Sequence, residues 1–551
     1  MSKAINWDKE VDVLCVGSGA GGMSAALTAA ESGASVLVAE KDTLVGGVQA
    51  LSSGQIWQGG TCYAEALGIE DSVEETIQYL ENIAQGMAVE SLRRNYVEKS
   101  QEALAFLREQ IGIKLQVVRN LPDYYYPLIP HSKAEGRYLE VEPFDATVLG
   151  EWAAKCRTSP YDNFYSYATA NEWTAQQSDG SVLAADCMVE HLSKDERCSG
   201  AGLAAAMLKA MLDRNVEILI ESPVTKLISD NGAVIGAEIT TSEGVLRVKA
   251  NKGVLLATSG YDWNEDLVKM HETMPGAGSM CPPAITGDHF HLAADVGAIP
   301  VPGRAPAQTP IFAGYKVPGE LIYGKPSQRM LLPGWPHSII VNDKGLRFCN
   351  DAFYPDVVTK AWRFDGQGEG LINWPAYLVF DESFREKYNL LPCYPGQELP
   401  DGLATKAESI EELANAIGVS SETLCATVNT FNSYCETGED PEFGRHTTPW
   451  GAIMAGDKRQ PKHPNFGPLE RGPFYAVELV RLVMGVPTAG LRIDENAQVI
   501  TARGEPAPGL YAGGNSAVCH DVGGGYNSGI ANMRGLLHGF LAVNHMLAQA
   551  N

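Results

Sequence analysis

Residues 11–41, VDVLCVGSGAGGMSAALTAAESGASVLVAEK, leave the chain few ways to fold. The apolar run VDVLCV reads as a buried parallel strand. It ends in Gly17, Gly19 and Gly22, spaced G-x-G-x-x-G. A small-residue helix then runs to Gly33, and ASVLVAEK supplies a second strand. Strand, glycine turn, helix and strand make a βαβ unit. The first glycine allows the turn, the second lets backbone approach a pyrophosphate, and the third lets helix pack on strand. Free N–H groups at the helix start, around Ala20 and Gly21, favour phosphate. Glu40 closes the second strand roughly 20 residues on, with Lys41 beside it, where a carboxylate can hold ribose hydroxyls. The expected class is α/β with a Rossmann-like dinucleotide domain.

At 551 residues the chain is too long for one simple domain. The division expected is a dinucleotide-binding domain over 1–285, an inserted α+β substrate domain over 286–470, where the texture turns to mixed strands and prolines, and a return to the first domain over 471–551. Helical periods recur at 74–110 and 200–213, and AVIGAEITTSEGVLRVKANKGVLLATSG reads as a β-meander leading into another buried strand. Residues 120–180, rich in aromatics and turn residues, read as an active-site insertion.

Charge and cysteine usage exclude several classes. The formal charge of −25 argues against a nucleic-acid partner, which would want a basic footprint. Eleven cysteines without a C-x-x-C pair suit reduced thiols in a cytoplasm, and leave out a dithiol centre or a cysteine-ligated iron–sulfur cluster. The start, MSKAINWDKEVDV, has no signal-peptide core, and no uncharged run is of bilayer length. A cytoplasmic location without a transmembrane segment is therefore expected. His289 and His291 are spaced H-x-H, but no further ligand set accompanies them, so no metal is expected.

Three further stretches separate the dinucleotides. GGVQALSSGQIW (46–57) follows the acid closely, KGVLLATSGYDWN (252–264) ends a strand in small residues, and APGLYAGGNSA (507–517) sets a glycine pair and Asn515 after a late strand. Through them the chain resembles the flavoprotein family of fumarate reductases and 3-ketosteroid dehydrogenases, from Val11 to about Ala542. The resemblance implies a glutathione-reductase-type fold holding FAD. Carried onto this sequence, it adds Gly46, Gly47, Ser53, Gly54, Val224, Ser259, Gly260, Asp288, Gly514, Asn515, Ser528, Gly529 and Ile530 to the cofactor contacts. His289 stands where the family's TGDG has glycine. No histidine lies near the second glycine pair, so the FAD is expected to be noncovalent. No second strand–G-x-G-x-x-G–helix unit appears, and GQGEG at 366–370 lacks a preceding strand. Electrons should therefore pass between substrate, flavin and an electron acceptor that the sequence does not name.

Desaturating a carbon chain beside a ketone needs a base for the α proton, a hydride acceptor for the β carbon, and donors on the carbonyl oxygen. Tyrosine can serve as base or donor. LPDYYYPLIP (121–130) holds three tyrosines between prolines and resembles the ketosteroid dehydrogenase stretch whose tyrosine lines the cleft and assists the base; Tyr124 and Tyr125 both match. SIIVNDKGLRFCNDAFYPD (338–356) resembles the family segment that runs into the base, which implies Tyr354 as proton acceptor. In GGGYNSGIAN (523–532), Tyr526 and the Gly529 N–H are placed to polarise the carbonyl, with Ser528 as proton relay. Tyr-x-Ser-Gly resembles the Δ4-(5α) enzymes more than the Δ1 type, and the bond attacked stays open. GEDPEFGR (438–445) supports the kinship, and Tyr475 reads as packing near the flavin. The expected substrate is a 3-ketosteroid or similar apolar polycyclic ketone. The alternative is a fumarate-reductase-like enoate or enone reductase, which would gather arginines such as Arg304, Arg329, Arg347 and Arg492 around a carboxylate.

Overall fold

In the computed structural model, strand β1 (Lys9–Val16) is buried along its second half, and helix α1 (Ala20–Glu31) follows it through the glycine turn. Strand β2 (Val36–Ala39) returns parallel to β1, with Val13 opposite Val36. The structure describes residues 5–161, 164–177, 185–272, 276–303, 312–368 and 370–549.

The first sheet has eight strands. Its parallel core runs, in space, from Pro506–Ala512 through Gly244–Leu256, β1 and β2 to Glu217–Leu219. Strands buried on both faces read as continuous apolar runs, which is what VDVLCV and VLVA show. The meander is present as Val224–Asp230, Ala233–Thr241 and Gly244–Leu256. Its last strand is continuous with the buried strand expected after it: one end pairs antiparallel with Ala233–Thr241, the other parallel with Pro506–Ala512. The helical period at 74–110 is broken at Gln85, which takes a left-handed φ of 54° between helices Val73–Ala84 and Glu90–Phe106.

Two four-stranded sheets carry the middle of the chain, the first antiparallel and the second mixed, since Gly278–Ser279 pairs parallel with Val480–Val483. One joins Ser338–Asn342, Ala376–Asp381, Phe474–Glu478 and Thr405–Ala407; the other joins Gly278–Ser279, Val480–Val483, Phe312–Ile322 and Lys325–Met330. The division expected at 470 thus falls ahead of two strands that pair back with earlier ones: Phe474–Glu478 with Ala376–Asp381, and Val480–Val483 with both Phe312–Ile322 and Gly278–Ser279. Tyr475 is on the first of them, stacked on Phe380 with its hydroxyl on Glu382 at 2.6 Å. It packs in that sheet and lies on neither cavity described below.

The chain then returns to the first sheet and ends in helix Ile530–Ala548. This helix crosses α1 closely: Ser24 Oγ donates to Leu536 O at 2.6 Å, and a Cβ on Gly539 would meet Gly21 O at 2.4 Å. No described helix is long and apolar enough to cross a membrane.

Candidate active site

Two adjoining cavities meet at the carboxyl end of β1. The first, about 170 Å³, is built on the glycine turn. Gly17 has φ +101°, and a Cβ on Gly22 would sit 1.9 Å from Gly17 O, so the turn closes only without side chains. This aims the start of α1 into the cavity. Glu40 lies at the end of β2 on the same wall, half of its carboxylate taken by Ser18 (N at 2.9 Å, Oγ at 2.6 Å) and the other oxygen accepting from Asp42 N at 2.8 Å. Burial pushes this carboxyl up, and those donors pull it down. Lys41 Nζ reaches Thr286 Oγ1 (2.7 Å) and Asp288 Oδ2 (2.9 Å), tying the two expected contact stretches together.

Of the cofactor contacts expected from sequence, Gly17, Gly19, Ala20, Gly21, Glu40, Lys41, Gly47, Ser53, Val224, Ser259, Asp288, Gly514, Asn515, Ser528 and Gly529 line this cavity. Gly22, Gly46, Gly54, Gly260 and Ile530 are not on its wall. Each is taken up by protein: Gly22 by the Gly17 carbonyl, Gly46 by Ala50 and Ala204, Gly54 by the Ser199–Gly200 backbone, Gly260 by Pro487, and Ile530 by the core. Arg157, which carries no motif, also lines the cavity, paired with Asp42 at 2.7 Å. The residues fit FAD: a glycine turn no Cβ could share, a carboxylate where the adenosine ribose would lie, and an Asn515 Oδ1 buried without a partner among the described residues.

The second cavity, about 270 Å³, shares Ser52, Ser53, Tyr526 and Ser528 with the first. Most of its wall is apolar, with Leu51, Leu121, Leu331, Trp335, Phe384 and Leu390 among its residues. Tyr124, Tyr354 and Tyr526 come together on it from three distant stretches. The Tyr124 ring is 5.5 Å from Tyr354 and 6.2 Å from Tyr526, edge-on to both. Trp450, which no sequence signal singled out, completes the group at 4.5 Å from Tyr124 and 5.4 Å from Tyr354. The Tyr124 hydroxyl hydrogen-bonds Tyr354 and Ser528, and Ser528 Oγ lies 3.4 Å from Ser53 Oγ. Burial raises Tyr354 well above the usual phenol range; it raises Tyr124 too, against the lowering effect of its hydrogen bonds.

Tyr124 and Tyr125 are placed differently with respect to the second cavity. Tyr124 is 4% exposed and on the wall, whereas Tyr125 is half-buried against Phe353 at 5.7 Å and is not. Asp123, just before it, is clamped by Trp57 Nε1 (2.8 Å), Lys133 N (2.8 Å) and Arg137 (2.9 Å), and Arg137 is held in turn by Asp71 (2.8 Å). Asn527 locks the tyrosines from behind. Wholly buried, its Oδ1 accepts from Tyr124 N (2.9 Å), Tyr79 Oη (3.2 Å) and Tyr138 Oη (3.1 Å). Tyr526 and Ser528, on either side, face the cavities. Replacing Asn527 by leucine strands these buried donors, at a cost of about 1–3 kcal/mol for each group left unsatisfied. The expected result is a lower thermal midpoint and a fall in kcat, both read on FAD-loaded protein.

Tyr354 starts helix Tyr354–Ala361, and the loop before it is fixed by ion pairs. Asp351 takes Arg347 (3.0 Å) and Arg445 (2.8 Å), and Asp440 takes Arg347 (2.6 Å), which gives GEDPEFGR a structural role. Gly529 caps the last helix at φ +89°, where a Cβ would meet Trp57 N at 2.7 Å. His289 is buried and neutral, pushed down to about 3, with Nδ1 on Thr258 Oγ1 at 2.9 Å. Glu172, His191 and Cys198 also bring ligand-type atoms together, but both His191 nitrogens are engaged by carboxylates, Glu172 at 2.9 Å and Glu196 at 3.0 Å.

Residues 12–531 match the FAD binding domain family. The chain belongs to that family. This flavoprotein is 32% identical over 98% of its length, and 93% of the other's, to a 4-oxocyclohexanecarboxylate 2-dehydrogenase of Sinomonas cyclohexanicum. It is 30% identical, over 98% of its length and 99% of the other's, to a 3-oxosteroid 1-dehydrogenase of Mycobacterium tuberculosis. Among solved structures it resembles the 3-ketosteroid Δ1-dehydrogenase of Sterolibacterium denitrificans, with TM-score 0.87, 28% identity, and coverage of 98% of this chain and 100% of that one. The flavoprotein is thus an FAD-dependent oxidoreductase acting on CH–CH groups, with the fold expected from its sequence.

Proposed function

We propose that the flavoprotein desaturates a polycyclic cyclic ketone of steroid size, placing a double bond in conjugation with the carbonyl. The observation that carries this is the tyrosine triad on the wall of a large apolar cavity, several of whose wall residues, Tyr526 and Ser528 among them, also face the cofactor cavity. The relatives named as 3-oxosteroid and 4-oxocyclohexanecarboxylate dehydrogenases support the reaction class.

In this reading Tyr354, as its phenolate, accepts the α proton. Tyr124 hydrogen-bonds that hydroxyl and links it to Ser528, through which the proton moves on. Tyr526 Oη and the Gly529 N–H donate to the carbonyl oxygen. At the start of the last helix those donors gain from the helix dipole as the oxygen becomes negative. The apolar wall and Trp450 keep water from the enolate. Bound FAD supplies the two-electron acceptor for the hydride from the β carbon. The residues that would hold it are those of the first cavity, from Gly17 and Glu40 to Asn515.

Among the described residues, the arginines that an enoate reductase would need do not converge. Arg347 is consumed by Asp351 and Asp440, Arg492 is exposed, Arg329 is paired with Glu320, and Arg304 lies outside the described residues. The test is anaerobic mixing with a saturated 3-ketosteroid, where flavin bleaching and an enone product are expected. An oxidised flavin that no cyclic ketone bleaches, but whose reduced form fumarate reoxidises, would replace this reading by the reductase.

A further inference from the structure

Arg329 is the one charged side chain among the described residues on the wall of the second cavity, and it is 3% exposed. It lies on Lys325–Met330 directly opposite Tyr315, another wall residue. Both terminal nitrogens of its guanidinium are engaged, while Nε has no partner among the described residues. Nη2 is 2.8 Å from Glu320 Oε1, Nη1 is 2.6 Å from Ser327 Oγ, and the guanidinium lies over the Tyr161 ring at 5.0 Å. Glu320 is half-buried, is not on the cavity wall, and has an Oε2 without a partner among the described residues.

Resting on the ring-ketone reading above, we propose that the Glu320–Arg329 pair selects uncharged ketones and excludes keto acids. A carboxylate drawn into this apolar cavity would lose its hydration and find Arg329, the one cation among the described wall residues, held by another carboxylate. Two anions would then share one guanidinium, with an unneutralised Glu320 oxygen close by. A neutral polycyclic ketone meets only a guanidinium whose charge Glu320 balances. Specificity here is a repulsion built against the wrong substrate as much as an attraction for the right one. The chain would then differ in substrate charge from its relative named for 4-oxocyclohexanecarboxylate.

The same geometry predicts how selectivity is reversed. Glu320→Gln keeps the side-chain shape and removes the countercharge, which leaves Arg329 free to attract a carboxylate. The experiment uses the FAD-loaded full chain with an artificial electron acceptor. Two matched pairs are compared: 4-oxocyclohexanecarboxylate with its methyl ester, and a 3-oxosteroid bearing a side-chain carboxylate with its methyl ester. Each is measured as substrate and as inhibitor of 3-ketosteroid oxidation.

The native protein is expected to favour each ester over its acid by roughly tenfold or more, and E320Q to shrink that ratio by a similar factor. Equal use of acid and ester by the native protein overturns the proposal, as does an E320Q ratio that does not move. Because the native ratio is read without any variant, a misfolded E320Q, visible as lost flavin, leaves the test intact. Turnover of both members of a pair alike sinks the selectivity alone. Failure of every ketone to reduce the flavin sinks the desaturation reading itself.

Discussion

Tyr354→Phe is expected to lower kcat/KM for a cyclic ketone by roughly 10²–10⁴-fold, the span typical of removing a general base. The ring stays, so its edge-on contacts with Tyr124 and Trp450 stay as well. FAD content and thermal midpoint should therefore remain near native while turnover collapses. The native pH profile provides the companion measurement. Burial favours the neutral phenol, raising Tyr354 far above its ordinary value, and only the phenolate can accept a proton. The working fraction thus grows about tenfold for each unit of pH below that pKa. A kcat/KM that climbs steadily through neutral into alkaline pH is expected. A plateau beginning near pH 6–7, or a Tyr354→Phe protein with near-native turnover, would move the base to another residue.

Gly22→Ala has the largest effect expected at the cofactor site. The added Cβ would stand 1.9 Å from Gly17 O and 2.9 Å from Gly17 C, both backbone atoms with no side chain to swing away. The turn must open, carrying the start of α1 away from the phosphates it is built to meet. Purified protein should hold on the order of a tenth of the native flavin or less, with a lower thermal midpoint. Gly19→Ala is the informative contrast. A Cβ there meets nothing within 4 Å, because Gly19 faces the open cavity. That variant should fold normally yet bind FAD more weakly. Equal flavin retention by both variants would contradict the account of the turn.

The two sites were legible in the sequence to different depths. Gly17, Glu40 and the strand–helix pattern around them are local, and local spacing is enough to fix a turn and a dipole. The tyrosines were individually visible through motif resemblance, but their convergence joins residues hundreds of positions apart, which periodicity does not report. Trp450 illustrates the limit: it sits in an unremarkable short helix, and only packing against Tyr124 gives it meaning. Tyr124 and Tyr125 differ by one position, so they point to opposite sides of a turn whose direction Asp123 and Asn527 set. The strands after 470 were hard to place for a related reason, since an apolar strand does not disclose which sheet will take it up.

The order of strands in the first sheet also bears on how the protein is made. Pro506–Ala512 pairs with Gly244–Leu256, and the closing helix settles on α1, whose residues leave the ribosome some five hundred positions earlier. The wall shared by the two cavities, at Tyr526 and Ser528, is therefore translated after every strand of the first sheet. A nascent chain must hold the glycine turn and an uncovered sheet edge while the intervening sheets are still being synthesised, and neither cavity has its full wall until Tyr526 and Ser528 have been made.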